Sequence, residues 1–204
     1  MCEPCSASLD EIGEACPLCA EPTETGRACA RCRTAPLALE RIVSPWRFGG
    51  QLAVAIRRLK LAGHTEVARA IAPLWAPLVG AAAEPDALVV PVPSHWRRRF
   101  RRGFDHAWLL AVHACASIGI AKPVAALRKI RMSPPQSTLT AAERRTNLRD
   151  CFAVRAPVRG RAIVLVDDVA TTGTTLSECA RTLLDAGATR VVGVVLARAT
   201  SART

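Results

Sequence analysis

A chain of 204 residues with 50% apolar content can bury one full α/β core plus a small appendage, which supports a globular protein. A membrane span is excluded: the apolar stretch 71–83 is broken by Pro73 and Pro77, and 108–121 is short and holds His113. The net charge of +11 is uneven, with three Lys/Arg against seven Asp/Glu up to Glu40 and 25 against 10 from Arg41 onward, a surplus that favours polyanionic partners.

Six of the nine cysteines come as Cys2-x-x-Cys5, Cys16-x-x-Cys19 and Cys29-x-x-Cys32. The N-terminus lacks the basic and apolar regions of a signal peptide, so a cytoplasmic protein is expected, and paired cysteines in a reducing compartment read as metal ligands. Two pairs bring four thiolates to a tetrahedral Zn²⁺, and a segment this short and polar has too little core to fold without metal. If sequential pairs join, Cys16, Cys19, Cys29 and Cys32 complete one site and Cys2 and Cys5 are left over. Pairing Cys2 and Cys5 with Cys16 and Cys19 has nearly equal loop length and stays open. Cys115, Cys151 and Cys179 lie singly in apolar patterns and are expected in the core. The boundary of the cysteine segment falls near Glu40, which divides the chain into 1–40 and 41–204.

Residues 51–62 place Leu52, Ala55, Ile56 and Leu59 on one helical face with Arg57, Arg58 and Lys60 off it, and Gly63 follows as a stop. A second helix over 65–79 is expected to bend or end at Pro73 and Pro77. Residues 87–92 read as a strand whose end, Pro93-Ser94-His95, enters the site, which makes His95 the one histidine with a candidate role. Next, Arg97, Arg98, Arg99, Arg101 and Arg102 alternate with Trp96, Phe100 and Phe104. Arginine forks suit phosphate and ring faces stack on bases, so this run is a candidate DNA surface; the alternative is a solvated loop with Trp96 and Phe100 tucked into the core. A third helix is expected over 104–118 and an irregular basic segment over 122–136. Residues 131–137 have the polar, Pro-punctuated make-up of a mobile lid. Thr140-Ala141-Ala142-Glu143 has capping-box spacing and opens a short helix through Leu148, with Arg144, Arg145 and Asn147 as candidate phosphate or DNA contacts.

The most informative segment follows. Residues 162–166 form an apolar run without polar alternation, the pattern of a parallel strand covered on both faces, and such strands end at the ligand-binding edge of an open α/β sheet. Asp167 and Asp168 stand at that edge. Adjacent carboxylates there repel and lose solvation, and vicinal sugar hydroxyls can compensate them as donors. Ala170, Thr171, Thr172, Gly173, Thr174 and Thr175 then supply hydroxyls, a glycine able to take positive φ and the N–H groups of a helix start, which together can wrap a phosphate. Leu176, Cys179, Ala180, Leu183 and Leu184 share one face of that helix, Gly187 stands at its C-terminal cap, and residues 191–196 are the last buried strand. Strands alternating with helices predict a mostly parallel, doubly wound α/β sheet.

Segment 164–176 resembles the signature for 5-phosphoribosyl 1-pyrophosphate (PRPP) of type I phosphoribosyltransferases. Together with the cysteine pairs, Val90-Pro91-Val92-Pro93, Arg102-Gly103-Phe104, Pro134-Pro135-Gln136 and Glu143-Arg144-Arg145-Thr146-Asn147-Leu148, nearly the whole chain resembles ComF-type proteins. The resemblance implies a phosphoribosyltransferase-like domain behind a zinc ribbon. It implies Asp167 and Asp168 as the catalytic pair on the ribose hydroxyls, residues 170–175 on the 5-phosphate and Arg102 beside the pyrophosphate. Mg²⁺ would ride mainly on ligand oxygens, and the lid would shield the reacting carbon from water. ComF-type proteins are associated with uptake of transforming DNA, so single-stranded DNA and the uptake machinery are expected partners. The resemblance favours a PRPP- and DNA-binding protein over an active transferase with an unidentified acceptor or a PRPP-sensing regulator. Asp105-His106 stands where the family usually has Asn-Gln. The family often carries four cysteine pairs, and the first is lacking here: either that ribbon has decayed or the true start lies upstream.

Overall fold

The computed structural model describes residues 3–61, 63–94, 100, 103–131 and 150–200. In chain order the elements are α1 (Glu3–Ala7), α2 (Ala30–Thr34), β1 (Arg41–Val43), β2 (Trp46–Arg47), α3 (Gly50–Leu61), α4 (Glu66–Ala82), β3 (Leu88–Pro91), α5 (His106–Ser117), β4 (Leu127–Lys129), β5 (Phe152–Val154), β6 (Ala162–Ala170), α6 (Thr174–Asp185) and β7 (Arg190–Arg198). His95, Trp96, Arg97, Arg98, Arg99, Arg101, Arg102, most of the expected lid and the expected helix over 140–148 lie outside the described residues.

The β-branched runs of β6 and β7 pair in parallel along their length, from Ala162↔Arg190 to Ala170↔Arg198. Around this centre the strand order is β1-β7-β6-β3, with β2 also paired to β7, and every pairing in the five-stranded sheet is parallel. Side chains alternate between the two faces, as a period of two requires. Val164, Val166, Val192 and Val194 join Leu52, Ile56, Trp75 and Leu110 from α3, α4 and α5. Ile163, Leu165, Val191 and Val195 join Leu176, Cys179 and Leu183 of α6, Phe152 of β5 and, from the cysteine segment, Cys16, Cys19 and Cys32. Both faces of the sheet are thus covered, which explains why its strands read as unbroken apolar runs. Cys115, Cys151 and Cys179 are all buried.

Three local outcomes differ from the sequence reading. Helix α4 runs on to Ala82 instead of stopping at a proline. Pro73 and Pro77 both lie on its exposed side, where water can take up the carbonyls their missing N–H groups leave, while Ile71, Trp75, Ala76 and Val79 hold the opposite side in the core. The segment 122–136 is not wholly irregular, because Leu127, Arg128 and Lys129 pair antiparallel with Val154, Ala153 and Phe152. Strands β1 and β2 have too few residues to show a periodicity, and they exist because β7 offers them an open edge. Among the described residues no helix is long and apolar enough to cross a membrane.

Candidate functional site

Strand β6 carries the acidic pair further into the sheet than its composition suggests. The run 162–166 predicts a strand ending before the acids, whereas the pairing continues through Asp167↔Val195, Val169↔Ala197 and Ala170↔Arg198. Backbone groups must find partners, and the length of β7 decides where β6 stops. Asp168 is only 2% exposed. Each carboxylate takes up a local donor: Asp167 Oδ1 accepts from the N–H of Asp168 at 2.9 Å, and Asp168 Oδ1 from that of Val169 at 2.7 Å.

The remaining partners come from elements distant in sequence. Lys60 Nζ, from the last turn of α3, lies 2.6 Å from Asp168 Oδ2, and His106 Nε2, at the start of α5, lies 3.5 Å from the same oxygen. One ligand atom each of His106, Asp167 and Asp168 falls within 4.8 Å of the others. Asp105 sets the position of α5. Its Oδ1 accepts from the N–H of Ala107 at 3.2 Å as an N-cap, and its Oδ2 accepts from the N–H of Ser94 at 3.0 Å, just past β3. Asp105-His106 therefore has two jobs here, capping and reaching the acidic pair. Burial, then the charge of Asp168, push the Asp167 carboxyl well above the usual Asp range, and Lys60 counteracts them only in part.

Beyond the strand the chain turns through Gly173, whose φ of +77° is left-handed. A Cβ there would lie 2.9 Å from Ile42 Cδ1 and 3.1 Å from Leu37 Cδ1, so both conformation and space demand glycine. Thr172 Oγ1 and Thr174 Oγ1 are 2.7 Å apart, and the N–H of Thr174 donates to Thr172 Oγ1 at 3.3 Å. Asp167, Lys60, Phe48, Ala199 and residues 169–176 line one cavity of about 300 Å³. All six predicted loop residues, Ala170, Thr171, Thr172, Gly173, Thr174 and Thr175, thus face a common space with one member of the acidic pair. Asp168 backs that space and binds Lys60. The sequence reading missed Lys60, which it treated as a solvent-face charge, and it saw His106 only as a departure from the family pattern.

The cysteine segment forms a second cluster. Ligand atoms of Cys16, Cys19, Cys29 and Cys32 lie within 4.8 Å of one another, with Cys19 Sγ and Cys29 Sγ 3.7 Å apart. A tetrahedron with Zn–S bonds of about 2.3 Å has S···S edges of about 3.8 Å, so the spacing suits a bound zinc ion. Cys29 N–H donates to Cys16 Sγ at 3.3 Å. Burial raises the Cys16 thiol, but the N–H groups of Cys29, Leu18 and Cys19 outweigh it and bring its pKa down to about 7. Burial and the neighbouring Cys19 and Cys29 sulfurs hold the Cys32 thiol far above its ordinary value. Four thiolates this close repel unless a cation joins them. Cys5 is exposed and outside the cluster, and Cys2 lies outside the described residues.

The phosphoribosyl transferase domain family matches residues 106–204. The DNA utilization protein YhgH of Escherichia coli O157:H7 is 34% identical over 197 residues, 94% of this chain and 87% of that protein. Competence protein ComFC of Bacillus subtilis (strain 168) is 30% identical over 198 residues, 92% of this chain and 79% of that protein. The chain belongs to the ComF-type family. In this ComF-type protein the acidic pair, its loop and α6 fall inside the matched transferase domain, while Lys60 and the four clustered cysteines fall outside it.

The raised Asp167 pKa has a consequence for stability. A carboxyl that holds its proton more tightly when folded costs stability as pH rises above the unfolded value of about 3.9, and the full cost is present once pH passes the raised folded value. Asp167→Asn removes that titration, so the ligand-free variant is expected to melt at a higher temperature than wild type at neutral pH. The advantage should shrink as pH is lowered, and scanning calorimetry across the acid range checks both the gain and its direction.

Proposed function

We propose that the cavity beside β6 binds PRPP together with Mg²⁺, and that the protein uses this site in the handling of single-stranded DNA. One observation supports the reading above the others: the phosphate-type loop and Asp167, the outer member of the acidic pair, line the same cavity of about 300 Å³. In this reading Asp167 and Asp168 accept the 2′- and 3′-hydroxyls of the ribose, the N–H and hydroxyl groups of residues 170–175 take the 5-phosphate, and Arg102 serves the pyrophosphate end. Mg²⁺, bound to ligand oxygens, would supply charge neutralisation of the leaving pyrophosphate. The chain's own part is to bind and orient the ligand, with Lys60 as the displaceable partner of Asp168. Calorimetry with Mg-PRPP tests this. Wild type should bind, and the double variant Asp167→Asn, Asp168→Asn should lose affinity at least tenfold, about 1.4 kcal/mol. Equal affinities would remove the acidic pair from the site.

A second reading, transfer of the phosphoribosyl group to an acceptor, draws support from a neighbouring cavity of about 330 Å³ lined by Pro91, Pro93, Asp105, Trp108, Ala125, Leu127 and Arg155. Asp105 relates the two, since its charge acts on Asp167 and it also lines this second space. Pyrophosphate release from Mg-PRPP in the presence of candidate acceptors separates transfer from binding alone.

We assign zinc to Cys16, Cys19, Cys29 and Cys32 as a structural ion. Elemental analysis is expected to give one zinc per chain, and Cys2→Ser with Cys5→Ser should leave that content unchanged; loss of zinc in that variant would favour the other pairing.

The DNA role draws on the names of relatives, which include DNA utilization and competence proteins, on the basic surplus after Glu40, and on Phe100, which is 86% exposed instead of tucked into the core. In this reading the protein works in the cytoplasm beside the DNA-uptake machinery. Changing Arg97, Arg98 and Arg99 to Ala should flatten the salt dependence of single-strand binding by up to roughly 2 units, at about 0.7 per lost phosphate contact. PRPP affinity should not change. A triple variant with wild-type DNA affinity and salt slope would reduce the arginine run to a solvated surface.

A further inference from the structure

Arg198 ends β7 as the register partner of Ala170, the residue that opens the phosphate-type loop. An arginine at a strand end normally reaches for water with its charged head. Here the side chain is fully buried. A buried guanidinium is costly unless its donors are used, and here each nitrogen is engaged. Nη1 donates to the carbonyls of Ala170 at 2.8 Å and Ala199 at 3.2 Å, and to the carbonyl of Thr171. Nε donates to the carbonyl of Cys19 at 2.8 Å, and Nη2 to Glu21 Oε2 at 2.6 Å. One group thus grips the loop on one side and the cysteine knuckle on the other.

The loop contacts fix direction as well as place. In a trans peptide the carbonyl and the following N–H point opposite ways. With the Thr171 carbonyl turned onto Arg198, the N–H of Thr172 points away from the guanidinium. A second tie runs in parallel. Leu37 and Ile42, on the segment leaving the knuckle, crowd Gly173, and the N–H of Ala38 donates to Ser177 Oγ at 2.9 Å in the first turns of α6.

We propose that Arg198 is the positioning residue of the phosphate loop and that, through it, the metal-held cysteine knuckle sets how well the loop binds an anion. The proposal rests on the phosphate reading of residues 170–175 and on zinc at the four cysteines. With the knuckle closed, Cys19 and Glu21 stay where the guanidinium needs them; with it open, the buried charge loses two of its partners and the loop carbonyls lose their anchor.

The test uses the full-length protein, zinc-loaded and after chelation, with Arg198→Lys and Glu21→Gln. Amide hydrogen exchange is read separately for the loop, for the centres of β6 and β7, and for α4, and Mg-PRPP affinity is measured alongside. Chelation should speed exchange in residues 170–175 and weaken Mg-PRPP about tenfold or more, while α4 and the strand centres keep their protection. Arg198→Lys should reproduce both effects with zinc still bound, because one point charge cannot serve the loop and the knuckle together. Glu21→Gln keeps an acceptor without its charge and should fall between. If Arg198→Lys does not fold, chelated wild type and Glu21→Gln decide alone. Unchanged loop exchange after zinc loss overturns the coupling even if Mg-PRPP still binds. Faster loop exchange in a protein with no affinity for Mg-PRPP would uphold the tie and overturn the ligand.

Discussion

Two adjacent carboxylates within a strand that is covered on both faces are the constraint to which the rest of the site answers. Each is cheap in water and expensive here, because the interior offers little to replace hydration and the second charge aggravates the first. The compensation is assembled from separate parts of the chain: the next N–H groups along β6, an ammonium from the end of α3 and an imidazole from the start of α5. Asp105 contributes indirectly, by joining the start of α5 to the end of β3 so that the imidazole arrives on the correct side. The raised pKa of Asp167 shows that this compensation is incomplete. An incompletely satisfied acceptor is what a ligand with vicinal donors can complete.

What could be read from the residues follows the range of the signals. The stretch from β6 through α6 is legible in all but the end of its strand because its signals are local: an apolar run, two acids, a hydroxyl-rich turn and a helical stripe whose buried members are Leu176, Cys179, Ala180 and Leu183. The four-cysteine cluster is legible for the same reason, since its ligands come as two closely spaced pairs. Lys60, His106 and Arg198 act across the fold. Nothing near Lys60 distinguishes it from Arg57 or Arg58 on the same helix, and only the packing of α3 brings it to Asp168. Arg198 left a faint trace, a charged residue closing an apolar strand, but strand ends are commonly charged. The short strands β1, β2 and β4 were hidden because two or three residues carry no period, and their pairing belongs to the neighbour that accepts them.

The cysteine segment is appended in sequence but shares a core with the transferase sheet. Cys16, Cys19 and Cys32 pack in the same apolar cluster as Leu165 and Leu176, and Arg198 fills the join with a charged group instead of a hydrocarbon. Such a join tolerates little sliding, because directional bonds to Cys19, Glu21, Ala170 and Thr171 must all be kept at once.

Gly173 adds a consequence for how this family can vary. Its left-handed conformation fixes it as glycine, so the void that its absent side chain leaves must be filled from across the gap by Leu37 and Ile42. Both reach closer to the missing Cβ than a van der Waals contact allows, one from the segment after the knuckle and one from strand β1. Substitution at either position is then a shared steric decision: a bulkier residue at 37 calls for a slimmer one at 42, and the reverse. In an alignment of relatives that keep this turn, the two positions should change size in opposite directions, so that their summed volume stays nearly constant while each is free to change in shape.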